Sequence, residues 1–247
     1  HQALLEKQMT TEDLVTFYLD RIRRFDNALA SIICVNPAAI QLAKDCDLSL
    51  QQTGKLSGSL HGVPVLLKDT IETADMPTTA GSLSLQGFST GRDADLVRRL
   101  KAAGAIILAK TNLHEFAIWG ETISSIKGQT RNPYDLTRTP GGSSGGTGAA
   151  LAANFGLAGI GTDTINSIRS PSSANNLVGI RPTVGVVSDE GIVPYSLTQD
   201  TAGPMARCVA DAAAVLDVIA VGDLPQTSLP AKPRIGRSEE HTSELQS

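Results

Sequence analysis

Three short segments of the sequence place a reactive side chain beside glycines or at the end of an apolar run. Lys68 ends GVPVLLK, Ser143 lies in TPGGSSGGTG, and Ser167 lies in GTDTINSIRSP. A lysine that ends a buried strand loses hydration, which lowers its pKa and lets the neutral amine accept a proton. A serine where a strand meets a helix can attack a carbonyl group, because backbone N–H groups there can hold an oxyanion.

Each segment taken alone also has a structural explanation. The lysine can simply reach solvent, the glycine-rich stretch can be a flexible linker, and Ser167 can be a helix cap. A phosphate-binding loop is disfavoured because no GKS or GKT follows the glycines, and Gly159 and Gly161 lack the third glycine of a dinucleotide-binding fingerprint.

A serine nucleophile needs a base, and histidine is the usual one. His61 and His114 are the candidates here, and neither lies in a catalytic context. A lysine that acts through a bridging serine is a known variant of the same logic. We therefore expect Lys68 to be the base.

The elements around these segments predict an α/β fold, a mixed central sheet covered by helices on both faces. One domain suffices, since the chain shows neither an internal repeat nor an interdomain linker. Periodicity predicts helices over 11–26, 37–47, 93–103, 111–118, 146–154, 168–176 and 206–221, strands over 62–68, 105–109 and 157–161, and irregular chain with short strands over 177–205.

Composition limits the classes of partner and compartment. The net charge is −4 over 247 residues, without a basic stripe, so we expect no direct contact with nucleic acid. We also expect no membrane span, because no apolar run is long enough. Cys34, Cys46 and Cys208 are widely spaced without a CxxC pair, which indicates a reducing, cytoplasmic setting and no metal site or cofactor.

The two ends of the sequence differ from the rest. The chain starts without Met and without the apolar core of a signal peptide, so it is expected to begin partway into a longer protein. Residues 237–247, RSEEHTSELQS, match what a common sequencing adapter encodes. We therefore expect a partial domain over 1–236 followed by a non-native tail over 237–247.

The three segments, in this order, resemble the amidase signature family. LHGVPVLLKDT, AGAIILAKTNLHEF, GQTRNPYDLTRTPGGSSGG and NNLVGIRPTVGVVS agree with that family's pattern, and the resemblance covers residues 10–225. It implies that Ser167 is the acylated nucleophile, that Ser143 is a bridging serine that follows a cis peptide bond, and that Lys68 is the base. Ser144 and Asp163 match motif positions that support the loops.

The resemblance also implies an oxyanion and substrate-binding set: Gly142, Ser144, Thr164, Ile165 and Asn166. This sequence departs from the family at Ile165 and Asn166, where the family has two glycines. A β-branched residue tolerates positive φ poorly, so the loop is expected to have a different backbone there. We further expect the Ile165 side chain to narrow the acyl pocket.

The resemblance implies an amide hydrolase that acts on a small-molecule amide, with a homodimer of the full-length protein as an open alternative. Two other functions fit the family: the amidase subunit of a tRNA-dependent amidotransferase, or an inactive member that serves in binding or assembly. Family members are roughly twice this long, so residues 1–236 alone are expected to fold poorly and to show no turnover.

Overall fold

The computed structural model describes residues 1–222, so the expected tail over 237–247 lies outside the described residues. The helices are α1 (Gln2–Leu5), α2 (Thr11–Leu29), α3 (Ala39–Thr53), α4 (Asp95–Ala102), α5 (Gly145–Ala152), α6 (Arg169–Ala174) and α7 (Val209–Ile219). The strands are β1 (Ile32–Val35), β2 (Pro64–Lys68), β3 (Ile106–Thr111), β4 (Ile123–Ser124), β5 (Gly128–Gln129), β6 (Ala158–Asp163), β7 (Val178–Gly179) and β8 (Thr201–Ala206).

A six-stranded mixed sheet organises the fold, in the order β1-β3-β2-β6-β8-β7. Its central strand β2 pairs in parallel with both β3 and β6, whereas β1, β8 and β7 run antiparallel to their neighbours. Parallel neighbours end at the same edge of a sheet. Lys68 at the end of β2 and Asp163 at the end of β6 therefore lie at one edge.

The sheet is covered by helices on both faces, as predicted. Val65 and Leu67 of β2 pack in a core with residues of α4 and α7. Leu66 belongs to the opposite core, with residues of α2, α3 and α5. Successive side chains of a strand point to opposite faces, so Lys68 shares the face of Leu66, the face on which α5 packs.

The long helix α2 has clear start and stop signals. Thr10 and Asp13 form a capping box at its first turn, and Ala30 ends it in the left-handed conformation. Val15, Tyr18 and Ile22 repeat at helical spacing and are buried against the sheet. The helix predicted over 11–26 is confirmed and extends to Leu29.

The predicted helix over 111–118 is wrong. β3 continues to Thr111, and only a single 3₁₀ turn, Glu115–Ala117, follows it. Phe116 and Ala117 have φ values of 52° and 59°, which a helix does not allow. The apolar spacing of this segment serves irregular chain that packs beside the glycine-rich loop.

Two strands were not predicted as separate elements. β1 is an edge strand of four residues, too short for a periodic signal. β8 has the sequence TAGPMA, and glycine and proline argue against a sheet interior. Proline is tolerated in β8 because β7 pairs only with Met205 and Ala206 beyond it. The helix predicted from 206 begins at Val209 instead, because β8 continues to Ala206.

Candidate active site

Lys68 ends β2 with a fully buried side chain. Its Nζ lies 2.7 Å from Ser143 Oγ and 2.7 Å from Thr162 Oγ1. Burial lowers the pKa of Lys68 to about 7, against the carboxylates of Asp163 and Asp200, which raise it. The amine is therefore available in its neutral form near neutral pH, within reach of the Ser143 hydroxyl.

Thr162 gives the lysine amine a defined orientation. Its hydroxyl lies 2.7 Å from Lys68 Nζ and its carbonyl oxygen lies 3.5 Å from the same atom. A neutral amine has two N–H groups and one lone pair. When both N–H groups point to Thr162, the lone pair is left to accept the proton of Ser143. Sequence analysis did not single out Thr162, although it lies beside Asp163 in the GTD motif.

A second buried lysine lies on the neighbouring strand. Lys110 Nζ is 2.9 Å from Asp69 Oδ1, and both side chains are fully buried. Thr78 Oγ1 at 2.9 Å and the Pro77 carbonyl at 3.2 Å also accept from Lys110. This ammonium neutralises a buried carboxylate. Lys68, by contrast, forms no ion pair with any described residue, which suits a base rather than a structural cation.

The loop that carries Ser143 is buried and tightly packed. The Gly142–Ser143 peptide bond is cis, and the Ser143 carbonyl accepts from the His114 N–H at 3.1 Å. A Cβ on Gly142 would lie 1.9 Å from the Glu121 carbonyl oxygen, and a Cβ on Gly146 would lie 2.1 Å from that of Asn112. The glycines therefore allow backbone to pack on backbone, and the loop is not a flexible linker.

Ser144 joins the two serine loops. Its backbone N–H donates to the Ser167 carbonyl at 3.3 Å, and its hydroxyl donates to the Thr162 carbonyl at 3.2 Å. Ser144 is fully buried. Neither Ser144 nor Gly142 lines the cavity beside the serines, so their geometry is that of support for the loops.

Ser167 lies between β6 and α6, with 8% of the residue exposed. Asp163 accepts from the Ile168 N–H at 2.9 Å and is paired with Arg169 and Arg181 at 3.2 and 3.3 Å. Burial alone raises the pKa of Asp163, but the hydrogen bonds from Arg169 and from the Ile168 backbone outweigh it, and the net pKa is lowered. A charged Asp163 thus fixes the turn that presents Ser167.

Thr164, Ile165 and Asn166 form the segment before Ser167. Among the described residues, neither Ile165 nor Asn166 is in the positive-φ region, so the replacement of glycine causes no strain there. Within residues 1–222, the N–H groups of Ile165, Asn166 and Ser167 have no acceptor. They remain available to a bound oxyanion.

The Ile165 side chain does not narrow the cavity. It is 69% exposed and is not part of the cavity wall. Its carbonyl accepts a hydrogen bond from the Arg169 guanidinium instead. The expected influence of Ile165 on the acyl pocket is therefore not supported by this geometry.

A cavity of about 200 Å³ opens beside the two serines. Its wall is mostly apolar, with the carboxylates of Asp189 and Asp200 included, and consists of Ala117, Ser143, Thr162, Thr164, Ser167, Asp189, Ile192, Val193, Pro194, Tyr195, Ser196, Leu197, Asp200, Thr201 and Ala202. Sequence analysis missed Asp200 and the wall at 192–197. The GIVP tetrapeptide before Tyr195 was the only signal for that wall.

The histidines lie outside this arrangement. His61 Nδ1 is 2.7 Å from Ser57 Oγ, and His114 Nδ1 is 3.2 Å from the Glu115 carbonyl. Over residues 1–222 there is no cluster of three or more His, Cys, Asp or Glu side chains suited to a metal ion. In the same part of the chain, no helix combines the length and apolar character that crossing a bilayer requires.

Comparison with known proteins places these features in a family. The Amidase family model matches residues 13–246. A glutamyl-tRNA(Gln) amidotransferase component from Corynebacterium jeikeium, the first of that enzyme's lettered subunits, is 43% identical over 218 residues, which are 88% of this chain and 44% of that protein. This chain thus spans about half the length of the curated relatives that it matches.

Solved structures agree with that result. A peptide amidase from Stenotrophomonas maltophilia superposes with a TM-score of 0.85 at 45% identity, over 92% of this chain and 50% of that one. The corresponding glutamyl-tRNA(Gln) amidotransferase component of Thermotoga maritima gives 0.75 at 35% identity, over 86% and 44%. The chain belongs to the Amidase family, whose members carry the amidase signature.

Proposed function

We propose that the protein hydrolyses amide bonds through an acyl-enzyme intermediate on Ser167. The observation that carries the proposal is the buried hydrogen bond between Lys68 and Ser143, at 2.7 Å, beside a cavity that Ser143 shares with Ser167. A base with a pKa of about 7 and two hydroxyls at one cavity form a path for a proton.

The reaction follows from these positions. Ser167 Oγ bonds to the substrate carbonyl carbon while its proton passes to Ser143 Oγ, whose own proton passes to Lys68 Nζ. The resulting oxyanion accepts hydrogen bonds from the free N–H groups before and at Ser167. When the C–N bond breaks, the proton returns through Ser143 to the departing amine. Water then attacks the ester along the same proton path and releases a carboxylic acid.

Peptide-like or other small amides are the substrate class that we favour. The superposition is closer with the peptide amidase than with the amidotransferase component. The mostly apolar cavity suits a compact acyl group. Asp189 and Asp200 are its only charged wall residues in the part of the chain that the structure describes, so neutral or cationic substrates should bind better than anionic ones.

The second candidate is the amidase subunit of a tRNA-dependent amidotransferase, which the identity to the Corynebacterium jeikeium protein favours. Such a protein would form ammonia from glutamine and pass it to partner subunits. For a stand-alone amidase we expect the cytoplasm, since Cys34, Cys46 and Cys208 are all unpaired, and at most association with a second copy of itself.

Fluorophosphonate labelling tests the proposal directly, because the probe phosphonylates activated serines. In protein expressed from the complete reading frame, we expect the label on the peptide that contains Ser167. Ser167→Ala should abolish it, and Lys68→Met should slow it by about 10²–10⁴-fold. Ser173→Ala is the matched control, since Ser173 is an exposed serine of α6, and it should label normally.

Three outcomes separate the alternatives. Labelling at Ser167 with turnover of amidated peptides supports the amidase. Glutaminase activity together with a stable complex of partner subunits supports the amidotransferase. A protein that neither labels nor hydrolyses an amide supports the inactive assembly role and contradicts our proposal.

A further inference from the structure

Asp200 lies immediately before β8, and its carboxylate collects three hydrogen bonds from two separate segments. Oδ2 accepts from the backbone N–H of Tyr195 at 2.7 Å and of Ser196 at 2.9 Å. Oδ1 accepts from the Thr164 hydroxyl. One carboxylate therefore connects the cavity wall with the segment that precedes Ser167.

The wall at residues 195–197 has little else to hold it. Tyr195 is 48% exposed and Leu197 is 81% exposed, so neither side chain anchors the segment in a core. Its other backbone bonds are local, from Gln199 and Asp200 to the Ser196 carbonyl. Exposed segments with few buried contacts open readily, which makes the carboxylate the main constraint on this wall.

The opposite end of the connection is the oxyanion segment. Thr164 lines the same cavity as the wall and directly precedes Ile165, the first of the free N–H donors. Fixing Thr164 therefore fixes where those donors begin. Small displacements in such segments have large effects, because a misplacement of about 1 Å can cost about 10²-fold in rate.

We propose that Asp200 is a positioning residue that sets the separation between the cavity wall at 195–197 and the Ser167 loop, so that an acyl group seats against both. This inference rests on the proposed amidase function and deepens it. Asp200 acts through Thr164, Tyr195 and Ser196. Its negative charge has a second, separable effect, since it raises the pKa of the buried Lys68.

Asp200→Asn removes one acceptor and places an amide NH₂ against N–H donors. We expect the backbone amides of Tyr195 and Ser196 to exchange hydrogen about tenfold faster or more, while amides of β2 and β6 are unchanged. In the complete protein, kcat/KM for a small amide should fall by about 10–100-fold. The remaining activity should have its acidic limb at lower pH, because the Lys68 pKa falls when the nearby carboxylate is neutralised.

Two further variants separate geometry from charge. Thr164→Val keeps the carboxylate and the two amide bonds, so it should lower kcat/KM without moving the acidic limb or the exchange of Tyr195 and Ser196. Asp189→Asn removes a charge from the same cavity wall, but the Asp189 carboxylate makes no hydrogen bond within residues 1–222. It should leave the exchange of those two amides as it is.

Unchanged exchange at Tyr195 and Ser196 in Asp200→Asn overturns the inference. So does a Thr164→Val protein with the kcat/KM of the wild type. A wild-type protein that hydrolyses no amide contradicts the proposed function instead. The exchange comparison needs no turnover, so it still decides whether Asp200 holds the wall.

Discussion

At the scale of single residues, the site depends on one lysine being neutral. Lys68 has a pKa of about 7 because its ammonium is buried, and only the neutral amine can take the proton of Ser143. Below that pKa, kcat/KM should fall by about tenfold for each unit of pH, and above it the rate should level off. A pH profile of the complete protein measures this limb. An acidic limb near the ordinary lysine value would show that Lys68 is not the titrating base.

The neighbouring ion pair predicts a different phenotype. Lys110 and Asp69 are both fully buried and 2.9 Å apart, so Lys110→Met leaves an unpaired carboxylate in the core. The free energy of unfolding should fall by about 3–5 kcal/mol.

The double variant with Asp69→Leu is the control for that change. It removes both charges and should recover much of the loss, because replacing a whole buried pair by apolar residues is often close to neutral. Urea titration of both proteins measures the difference. Equal stability of the single variant and the wild type would contradict the structural role of the pair.

At the scale of elements, the start of α5 is constrained by close packing. A Cβ on Gly146 would lie 2.1 Å from the Asn112 carbonyl oxygen, a backbone atom that cannot move aside cheaply. Gly146→Ala should therefore cost about 1–3 kcal/mol or more in unfolding free energy. It should also displace the adjacent Ser143 loop and reduce fluorophosphonate labelling.

Gly120→Ala is the matched control for that substitution. Gly120 has no positive φ, and a Cβ there meets only Asn166 Nδ2, at an ordinary contact distance of 3.6 Å. Its thermal unfolding should stay close to that of the wild type. If both alanine variants unfold alike, close packing at Gly146 does not explain the glycine.

The elements also show how far sequence patterns reach. Apolar periodicity predicted α2, β2 and β6, because each buries its side chains at regular spacing. It could not predict β8, whose glycine and proline oppose a strand and whose partners are distant in sequence. Thr162 and Asp200 were missed for a related reason. Their roles depend on contacts with Lys68 and with residues 195–196 that exist only after the sheet has formed.

At the scale of the whole molecule, the cavity has an apolar rim. Ala117 and Leu197 line the same cavity, and a Cβ on Gly120 would meet Asn166, so the segments 117–120, 165–166 and 195–197 surround it. Trp119 and Ile165 are each 69% exposed and Leu197 is 81% exposed. Large exposed apolar patches mark surfaces that contact another part of a protein or a ligand. The matched relatives have about as much chain again beyond the shared part.

We therefore predict that the 247-residue chain, expressed by itself, binds the apolar dye ANS strongly at this rim and turns over no amide. Trp119→Ser should lower the dye fluorescence, whereas Val209→Ser, at a residue of α7 that is 67% exposed, should not. A chimaera that joins residues 1–222 to the C-terminal half of the Stenotrophomonas maltophilia peptide amidase should bind less dye, because that half would cover the rim. If the chimaera folds and still binds as much dye as the 247 residues do by themselves, the rim is not the surface that the second half covers.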